Sequence, residues 1–329
     1  MIKRSSILLH VTILIILSIL SLCIGRYELS PLEILNTLIG KGDMGEYSLL
    51  INIRIPRIIL VVISGGALAL SGMVFQSMFQ NPLISPDVLG VTSGCSLGAA
   101  LGIVFLSASP ILVQSLSFTF GLLAVIFSVL LSKRMRSNRI LALVISGIVT
   151  GALTSSMIMI IKYFADPYKD LPAIDFWLMG GFYNSSWSNI AYVSVLCLFS
   201  TIVIYLFRWR LKVITMGDES AKLLGVNVKL VRLIVILAST LLVSAVVSVA
   251  GVISWIGILV PHIVKSYAKD DISKNIPITI LAGGIILLLA DTLARSITTT
   301  EIPISIVTSF VGAPFLVYLL NKKGTFKDV

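Results

Sequence analysis

The sequence predicts an all-α, polytopic membrane protein of about ten transmembrane helices. Of its 329 residues, 57% are hydrophobic and only 12% are charged, and the mean hydropathy of +1.04 lies far above that of soluble domains. Nearly the whole chain also divides into apolar runs of roughly 17–25 residues, the length that crosses a bilayer as a helix. The net charge of +10 comes from basic residues in short clusters between these runs. This pattern favours a role in membrane orientation over nucleic-acid binding.

No soluble-sized insertion separates the apolar runs, so we expect a single transmembrane domain over residues 1–329. The first run follows Lys3 and Arg4 and is longer than the apolar core of a cleavable signal peptide, which predicts an uncleaved helix. The eighth run is short and is interrupted by Gly257 and Pro261. The predicted membrane segments are residues 7–25, 56–78, 88–106, 112–132, 140–163, 189–207, 231–250, 252–267, 275–293 and 303–320.

The distribution of basic residues predicts which side of the membrane each loop occupies. An even number of crossings puts both termini on the same side, and with the N-terminus inside most of the 25 basic residues fall on the inner side. Cytoplasmic loops are the ones enriched in Lys and Arg, so both termini are expected in the cytoplasm. The outer side then carries only Arg26, Lys41, Arg54, Arg57, Lys162, Lys169 and Arg295.

A charged island at about residues 216–225 lies between the sixth and seventh membrane segments, on the predicted inner side. Its mixture of charged and apolar residues predicts a short helix beside the membrane rather than across it. Thr215 with Asp218 fits a capping box at the start, and Gly225 fits a left-handed stop at the end. Leu223, Leu224 and Val226 would then be exposed and would need a soluble partner. A solvated loop without a partner is the alternative interpretation.

The sequence offers no constellation of residues for catalysis or metal binding. Two histidines (His10 and His262) and three scattered cysteines are too few and too far apart for a protein-ligated metal site or a disulfide framework. We therefore expect no catalytic residue, metal or cofactor in this chain. The membrane segments also hold almost no ionisable groups, whereas an ion-gradient-driven carrier usually keeps one at membrane depth.

Motifs spread over residues about 50 to 320 make the chain resemble the permeases of iron-chelate and cobalamin importers, which belong to the ATP-binding-cassette (ABC) class. The first motifs are R-I-P-R at 54–57, S-G-G-A-L-A-L-S-G at 64–72, N-P-L at 81–83 and L-G-V at 89–91. The later ones are G-D-E-S-A at 217–221, G-I-L-V-P-H at 257–262, A-D-T-L-A-R at 290–295, E-I-P at 301–303 and G-A-P at 312–314.

The resemblance implies a type II ABC importer permease fold that works as a homodimer, with the translocation path between two copies. It also implies two copies of a cytoplasmic ATPase and a substrate-binding protein outside. The chain contains no phosphate loop of the form G-x-x-x-x-G-K-[ST], so ATP and Mg²⁺ are expected on the partner ATPase. In the family the charged island is the coupling helix that contacts this ATPase, here through Gly217, Asp218, Glu219, Ser220, Leu223, Leu224 and Gly225.

The resemblance assigns two further groups of residues. Arg54, Arg57 and Arg295 would dock the binding protein from the outer side by pairing with its acidic residues. Contact with anionic lipid for the first two, or a local helix pair between Asp291 and Arg295, are the alternatives. The inner gate would be formed in two cytoplasmic loops, although as isolated sequence its residues are only turn signals. These gate residues are Asn81, Leu83, Ser137 and Asn138.

Together these features predict the permease subunit of an ATP-driven importer in a prokaryotic cytoplasmic membrane, with no covalent chemistry of its own. Its expected partners are a second copy, the ATPase, the binding protein and membrane lipids. The cargo is expected to be a metal chelate, with ferric siderophore first and haem, cobalamin or molybdate as alternatives. A stand-alone carrier driven by an ion gradient is the alternative function. A membrane enzyme is disfavoured because no cluster of His, Asp or Glu lies at membrane depth.

Overall fold

The computed structural model describes residues 4–25, 27, 29–106, 109–135, 139–268, 271–298 and 300–322, and the regular structure in this part of the chain is all helical. The α-helices are α1 (Arg4–Cys23), α2 (Pro31–Leu38), α3 (Met44–Ser48), α4 (Ile55–Met78), α5 (Val91–Phe105), α6 (Pro110–Ser132), α7 (Arg139–Phe164), α8 (Asp170–Met179), α9 (Trp187–Ile214), α10 (Asp218–Leu223), α11 (Val228–Ala250), α12 (Ile256–Tyr267), α13 (Ile272–Ser296) and α14 (Ile304–Lys322). A π-helical turn (Leu49–Arg54) leads into α4, and a 3-10 turn (Pro86–Leu89) precedes α5.

The all-α membrane architecture is confirmed. Within the described residues, seven helical stretches are long and apolar enough to cross a membrane, and they contain α1, α4, α6, α7, α9, α11 and α13. Three shorter apolar helices, α5, α12 and α14, account for the other predicted segments. The eighth segment is shorter than predicted because α12 begins at Ile256. The residues before it are not helical, and Gly251 ends α11 with a φ of +67°.

Helix α4 lies at the centre of the bundle and packs against α9, α11, α12 and α13. Its apolar stretch is 83% buried, against 28% for those of α6, α7 and α9. The small residues of the S-G-G-A-L-A-L-S-G motif explain this difference. Gly65 lies against the backbone of Gly283 in α13, and Gly72 against that of Gly257 in α12, so closely that a β-carbon at either position would collide with the facing carbonyl oxygen. Such close packing holds helices together where lipid removes the hydrophobic driving force.

Helix α9 is longer than the predicted segment 189–207. It continues to Ile214 because apolar positions recur on its packed face, where Leu211 and Ile214 are buried. The basic residues Arg210 and Lys212 are exposed on the other face of these last turns, as expected for long cationic side chains at a membrane boundary. Consequently α9 projects beyond its apolar run and carries α10 at its end.

Candidate functional sites at the two ends of the bundle

The start of the predicted coupling helix α10 differs from the expectation. Its N-cap is Gly217, and no described side chain caps it, so the predicted capping box of Thr215 and Asp218 is wrong. Thr215 instead closes α9, where its Oγ1 donates to the carbonyl of Lys212 (2.7 Å). The difference follows from the extra length of α9, which leaves only Met216 and Gly217 as the link to α10.

The end of α10 matches the predicted left-handed stop. Gly225 has a φ of +75° and its N–H donates to the carbonyl of Lys222 (2.9 Å). The next N–H, from Val226, donates to the carbonyl of Ala221 (2.9 Å). These two bonds form a Schellman motif, which satisfies carbonyls at the helix end. A helix of only six residues therefore has a sharply defined end.

An ion pair fastens α10 to α11. Both terminal nitrogens of Arg232 donate to the carboxylate of Asp218, at 2.8 and 2.6 Å. Arg232 is buried, at 3% exposure, and Ala221 of α10 is fully buried beside it. On the neighbouring helix, Lys212 donates to Asp271 at the start of α13 (2.7 Å), and this hydrogen bond holds the pKa of the Asp271 carboxyl below its ordinary value. The base of α10 is therefore anchored to the bundle.

The outward face of α10 combines apolar and charged side chains. Leu223 is 89% exposed and Leu224 is 56% exposed, and Glu219, Ser220 and Gly225 are also exposed. Two leucines in contact with water on an anchored helix form an apolar surface that a soluble partner can cover. The predicted exposure of Leu223 and Leu224 is therefore confirmed. The predicted exposure of Val226 is wrong, because its side chain is buried at 5% exposure. The role of the surface stays a prediction.

The loop after α4 contains Asn81 and Leu83 of the predicted gate, and the structure connects it to α9. Asn81 Oδ1 accepts a hydrogen bond from the Leu83 N–H (2.9 Å), which closes a tight turn. The preceding residue, Gln80, has an unusual φ of +50°. Its Nε2 donates to the carbonyls of Ile214 (3.3 Å) and Thr215 (3.4 Å). The loop is thus attached to the end of α9, immediately before α10.

Gln80 is a residue that the sequence reasoning missed. Nothing in the sequence around the Asn-Pro-Leu motif indicates a partner 134 positions away, although a bulky polar residue just before a turn is a weak signal of a special backbone conformation. The other two predicted gate residues, Ser137 and Asn138, lie outside the described residues. The structure therefore brings Asn81 and Leu83 together and leaves the second gate loop untested.

The predicted outer end of the bundle holds a buried network centred on Arg57. Its guanidinium contacts Asp291 of α13 (Nη2–Oδ1, 2.9 Å) and Glu301 in the loop before α14 (Nη1–Oε2, 2.9 Å). Arg57 is 9% exposed and Asp291 is 1% exposed. The planar guanidinium binds two carboxylates at once, which a lysine would not match geometrically. This network joins the outer ends of α4 and α13 to the α13–α14 loop.

The other two outer arginines are also buried. Arg54 donates to the backbone carbonyls of Leu22 and Tyr27. Arg295 donates to the carbonyl and, at 2.6 Å, to the hydroxyl of Ser21, and its Nε lies 3.6 Å from Asp291. The expectation that these arginines stand exposed toward a partner is wrong, because α1 and α13 supply internal acceptors. The alternative of a local pair between Asp291 and Arg295 matches the structure.

A cavity of about 430 Å³ with several polar side chains in its walls opens between α5 and α7. Asp87, whose carboxylate accepts a hydrogen bond from Thr92 Oγ1, lines it together with Ser93, Ser96 and Ser155. The sequence reasoning did not single out these residues. Among the described residues, no group of three or more His, Cys, Asp or Glu side chains is arranged to hold a metal ion.

Comparison with known proteins gives a consistent result. A family model described as the FecCD transport family matches residues 13–322. The molybdate import system permease protein MolB of Haemophilus influenzae is 36% identical over 321 residues, which cover 95% of each chain. The Fe(3+)-citrate import system permease protein YfmE of Bacillus subtilis is 34% identical over 96% of this chain and 94% of its own. A solved structure of a metal-chelate type ABC transporter in an inward-facing conformation is 33% identical, with a TM-score of 0.88 over 96% of this chain and 98% of its own.

These matches extend over nearly the whole chain and agree with the ten-helix bundle and its motifs. They confirm the resemblance, and they give no support to the alternative of a stand-alone carrier. The chain belongs to the FecCD transport family and is a membrane-embedded permease of the ABC importer class.

Proposed function

We propose that two copies of this chain form the translocation path of an importer, and that a separate cytoplasmic ATPase binds each copy. The observation that carries this proposal is the exposed Leu223–Leu224 surface on α10, a helix otherwise anchored to the bundle by Asp218 and Arg232. Exposed apolar side chains on a rigid element are well suited as the central contacts of an interface. Gly217, Glu219, Ser220 and Gly225 would border the contact.

The anchoring of α10 suggests how nucleotide-driven movement reaches the gate. A displacement of α10 would be transmitted to α11 through the Asp218–Arg232 pair and to α9 through the short link at Met216 and Gly217. Gln80 would then carry the movement of the α9 end to the turn at Asn81 and Leu83. Because these contacts are hydrogen bonds and ion pairs of fixed geometry, the movement need not be absorbed by flexible chain. Ser137 and Asn138 remain proposed members of the same gate.

The outer end is proposed to receive a substrate-binding protein. Arg54, Arg57 and Arg295 stay proposed as residues needed for docking, but their burial supports an indirect role. They would hold α1, α4, α13 and the loop of Glu301 in one platform, and direct pairing with a partner would require them to leave their internal acceptors. Glu301, whose side chain is 22% exposed, is the member of the network closest to the surface.

The proposed cargo is a metal chelate, with ferric siderophore first and haem or cobalamin next. The Bacillus subtilis relative named for Fe(3+)-citrate import supports an iron chelate. Molybdate is a second candidate, favoured by the similarity to the Haemophilus influenzae molybdate permease over 95% of both chains. The proposed location is the cytoplasmic membrane of a prokaryote, with both termini inside, because the basic clusters flank the inner loops.

Reconstitution in liposomes tests the proposed function. The purified chain alone should hydrolyse no ATP, and uptake of a ferric siderophore should require the ATPase, the binding protein and ATP. A parallel assay with molybdate separates the two cargo classes. ATP turnover by the chain alone, or uptake driven by an ion gradient without the ATPase, would contradict the proposal.

A further inference from the structure

A second cavity, of about 660 Å³, lies at the predicted cytoplasmic boundary between the end of α6 and the first turns of α11. Its rim carries Lys133 at the end of α6 and Lys229 at the start of α11, and both lysines are exposed. Among the described residues that line the cavity, none is acidic. The rim therefore presents positive charge without an internal carboxylate to neutralise it.

The one arginine among the described residues of the cavity is already paired within the protein. Arg232 lines the cavity and is 3% exposed. Its two terminal nitrogens bind the carboxylate of Asp218. The positive charge that a ligand can reach is therefore that of Lys133 and Lys229 at the rim.

The remaining walls of the cavity are apolar. Leu143 of α7 and Leu230, Leu233 and Ile236 of α11 form much of its surface. These residues belong to membrane-spanning helices, so the apolar walls continue from the polar rim toward the bilayer. A ligand that fits must combine an anionic head with a hydrocarbon part. The volume accommodates a phosphate, a glycerol unit and the first carbons of a chain, while the longer part of the chain would extend into the bilayer.

From these features we infer that the cavity binds an anionic phospholipid of the inner leaflet, with its phosphate at the rim beside Lys133 and Lys229. Basic pockets at the inner ends of transmembrane helices bind lipid head groups in this way. The site shares Arg232 with the ion pair that anchors α10, so an occupied cavity would stabilise the base of the coupling helix. The inference rests on the proposed function only for the assignment of the inner leaflet.

Lipid titration of the full-length purified chain in detergent, followed by native mass spectrometry and thermal unfolding, tests the inference. Phosphatidylglycerol should bind saturably and raise the melting temperature, and phosphatidylcholine should do neither. The double variant K133Q/K229Q should bind phosphatidylglycerol about twenty-five-fold more weakly, since each cation near the surface contributes on the order of a factor of five. Inorganic phosphate alone should bind at least an order of magnitude more weakly than the lipid.

A matched control is the variant R210Q/K222Q, which removes two exposed cations from the same predicted side but outside the cavity. It should bind phosphatidylglycerol as the wild type does. A second variant, S132W, keeps both lysines and places an indole in the cavity, and it should also lose lipid binding. If both double variants weaken phosphatidylglycerol binding equally, the inference is overturned in favour of diffuse electrostatic attraction. If inorganic phosphate binds as tightly as the lipid, the inference is overturned in favour of a soluble anion. These measurements need no ATPase, so they can fail without the proposed function failing.

Discussion

The two ends of this bundle use charged residues in opposite ways. At the predicted cytoplasmic end, the inner end, one ion pair between Asp218 and Arg232 fastens α10 and leaves two leucines exposed. At the outer end three arginines are buried among carboxylates and backbone carbonyls, and the network spans α1, α4 and α13. The inner end thus leaves apolar side chains exposed, whereas most of the charged groups at the outer end have partners within the chain. A charge near a membrane surface therefore does not by itself indicate an exposed contact.

The comparison predicts that apolar contact dominates at the inner end. Replacing Leu223 and Leu224 with aspartate should abolish association with the ATPase, because burying each leucine at the contact contributes about 2 kcal/mol, and losing both weakens binding roughly a thousandfold. Co-purification and uptake in liposomes measure the loss. The matched control places aspartate at Leu32 and Leu35 of α2, which are exposed at the outer end. If the ATPase still co-purifies normally with the first variant, α10 is not the contact surface.

Because the arginines at the outer end pair with a buried carboxylate, we expect the loss of that carboxylate to lower the free energy of unfolding strongly. Replacing Asp291 with alanine removes a carboxylate from both Arg57 and Arg295, and breaking a buried ion pair from one side costs about 3–5 kcal/mol. Unfolding in detergent should show this loss. The control E301Q removes the partly exposed partner of Arg57 and should cost about 1 kcal/mol. A D291A variant that unfolds like the wild type would show that the network is not structural.

The hydrogen bonds from Gln80 to the end of α9 predict that transport becomes less efficient when Gln80 is replaced. Replacing Gln80 with alanine removes two hydrogen bonds to the end of α9, each worth about 0.5–1.5 kcal/mol. Uptake per ATP hydrolysed should fall several-fold while ATPase association stays normal. The variant Q80G removes the same bonds and also relieves the positive φ. The two variants should therefore behave alike, and recovery of transport in Q80G would point to backbone strain instead.

The smallest expected effect concerns the end of α10. Replacing Gly225 with alanine costs about 1 kcal/mol, because φ is +75° there and no neighbouring atom lies near the added β-carbon. Gly40, at the outer end, has a φ of +77° and equally open space, so G40A imposes the same strain far from the ATPase. Both variants should unfold slightly earlier. Only G225A should reduce stimulation of the ATPase, and equal reduction by both would contradict a special role for the α10 end.

The sequence predicted the helical class and the ten segments well, because apolar runs of membrane length have few alternatives in lipid. The left-handed stop at Gly225 was also predictable, since it depends on local chemistry. The capping box failed because the apolar face of α9 continues through its basic cluster to Ile214. The burial of the arginines was not predictable for a similar reason. Their acceptors, at Ser21, Leu22 and Glu301, come from distant parts of the chain, and local sequence does not show which helix ends meet.

The buried Arg57–Asp291 pair has a consequence for how the protein is made. The two residues are separated by 234 positions, so during synthesis from the N-terminus α4 enters the membrane long before its counterion exists. An arginine at the outer end of a helix can keep its guanidinium in the interfacial water before the counterion is present, because long cationic side chains reach the membrane surface at low energetic cost. The shorter side chain of Asp291 cannot reach the interfacial water in this way, but when α13 enters the bilayer Arg57 is already there. The chain order thus allows the pair to assemble without an isolated carboxylate in lipid.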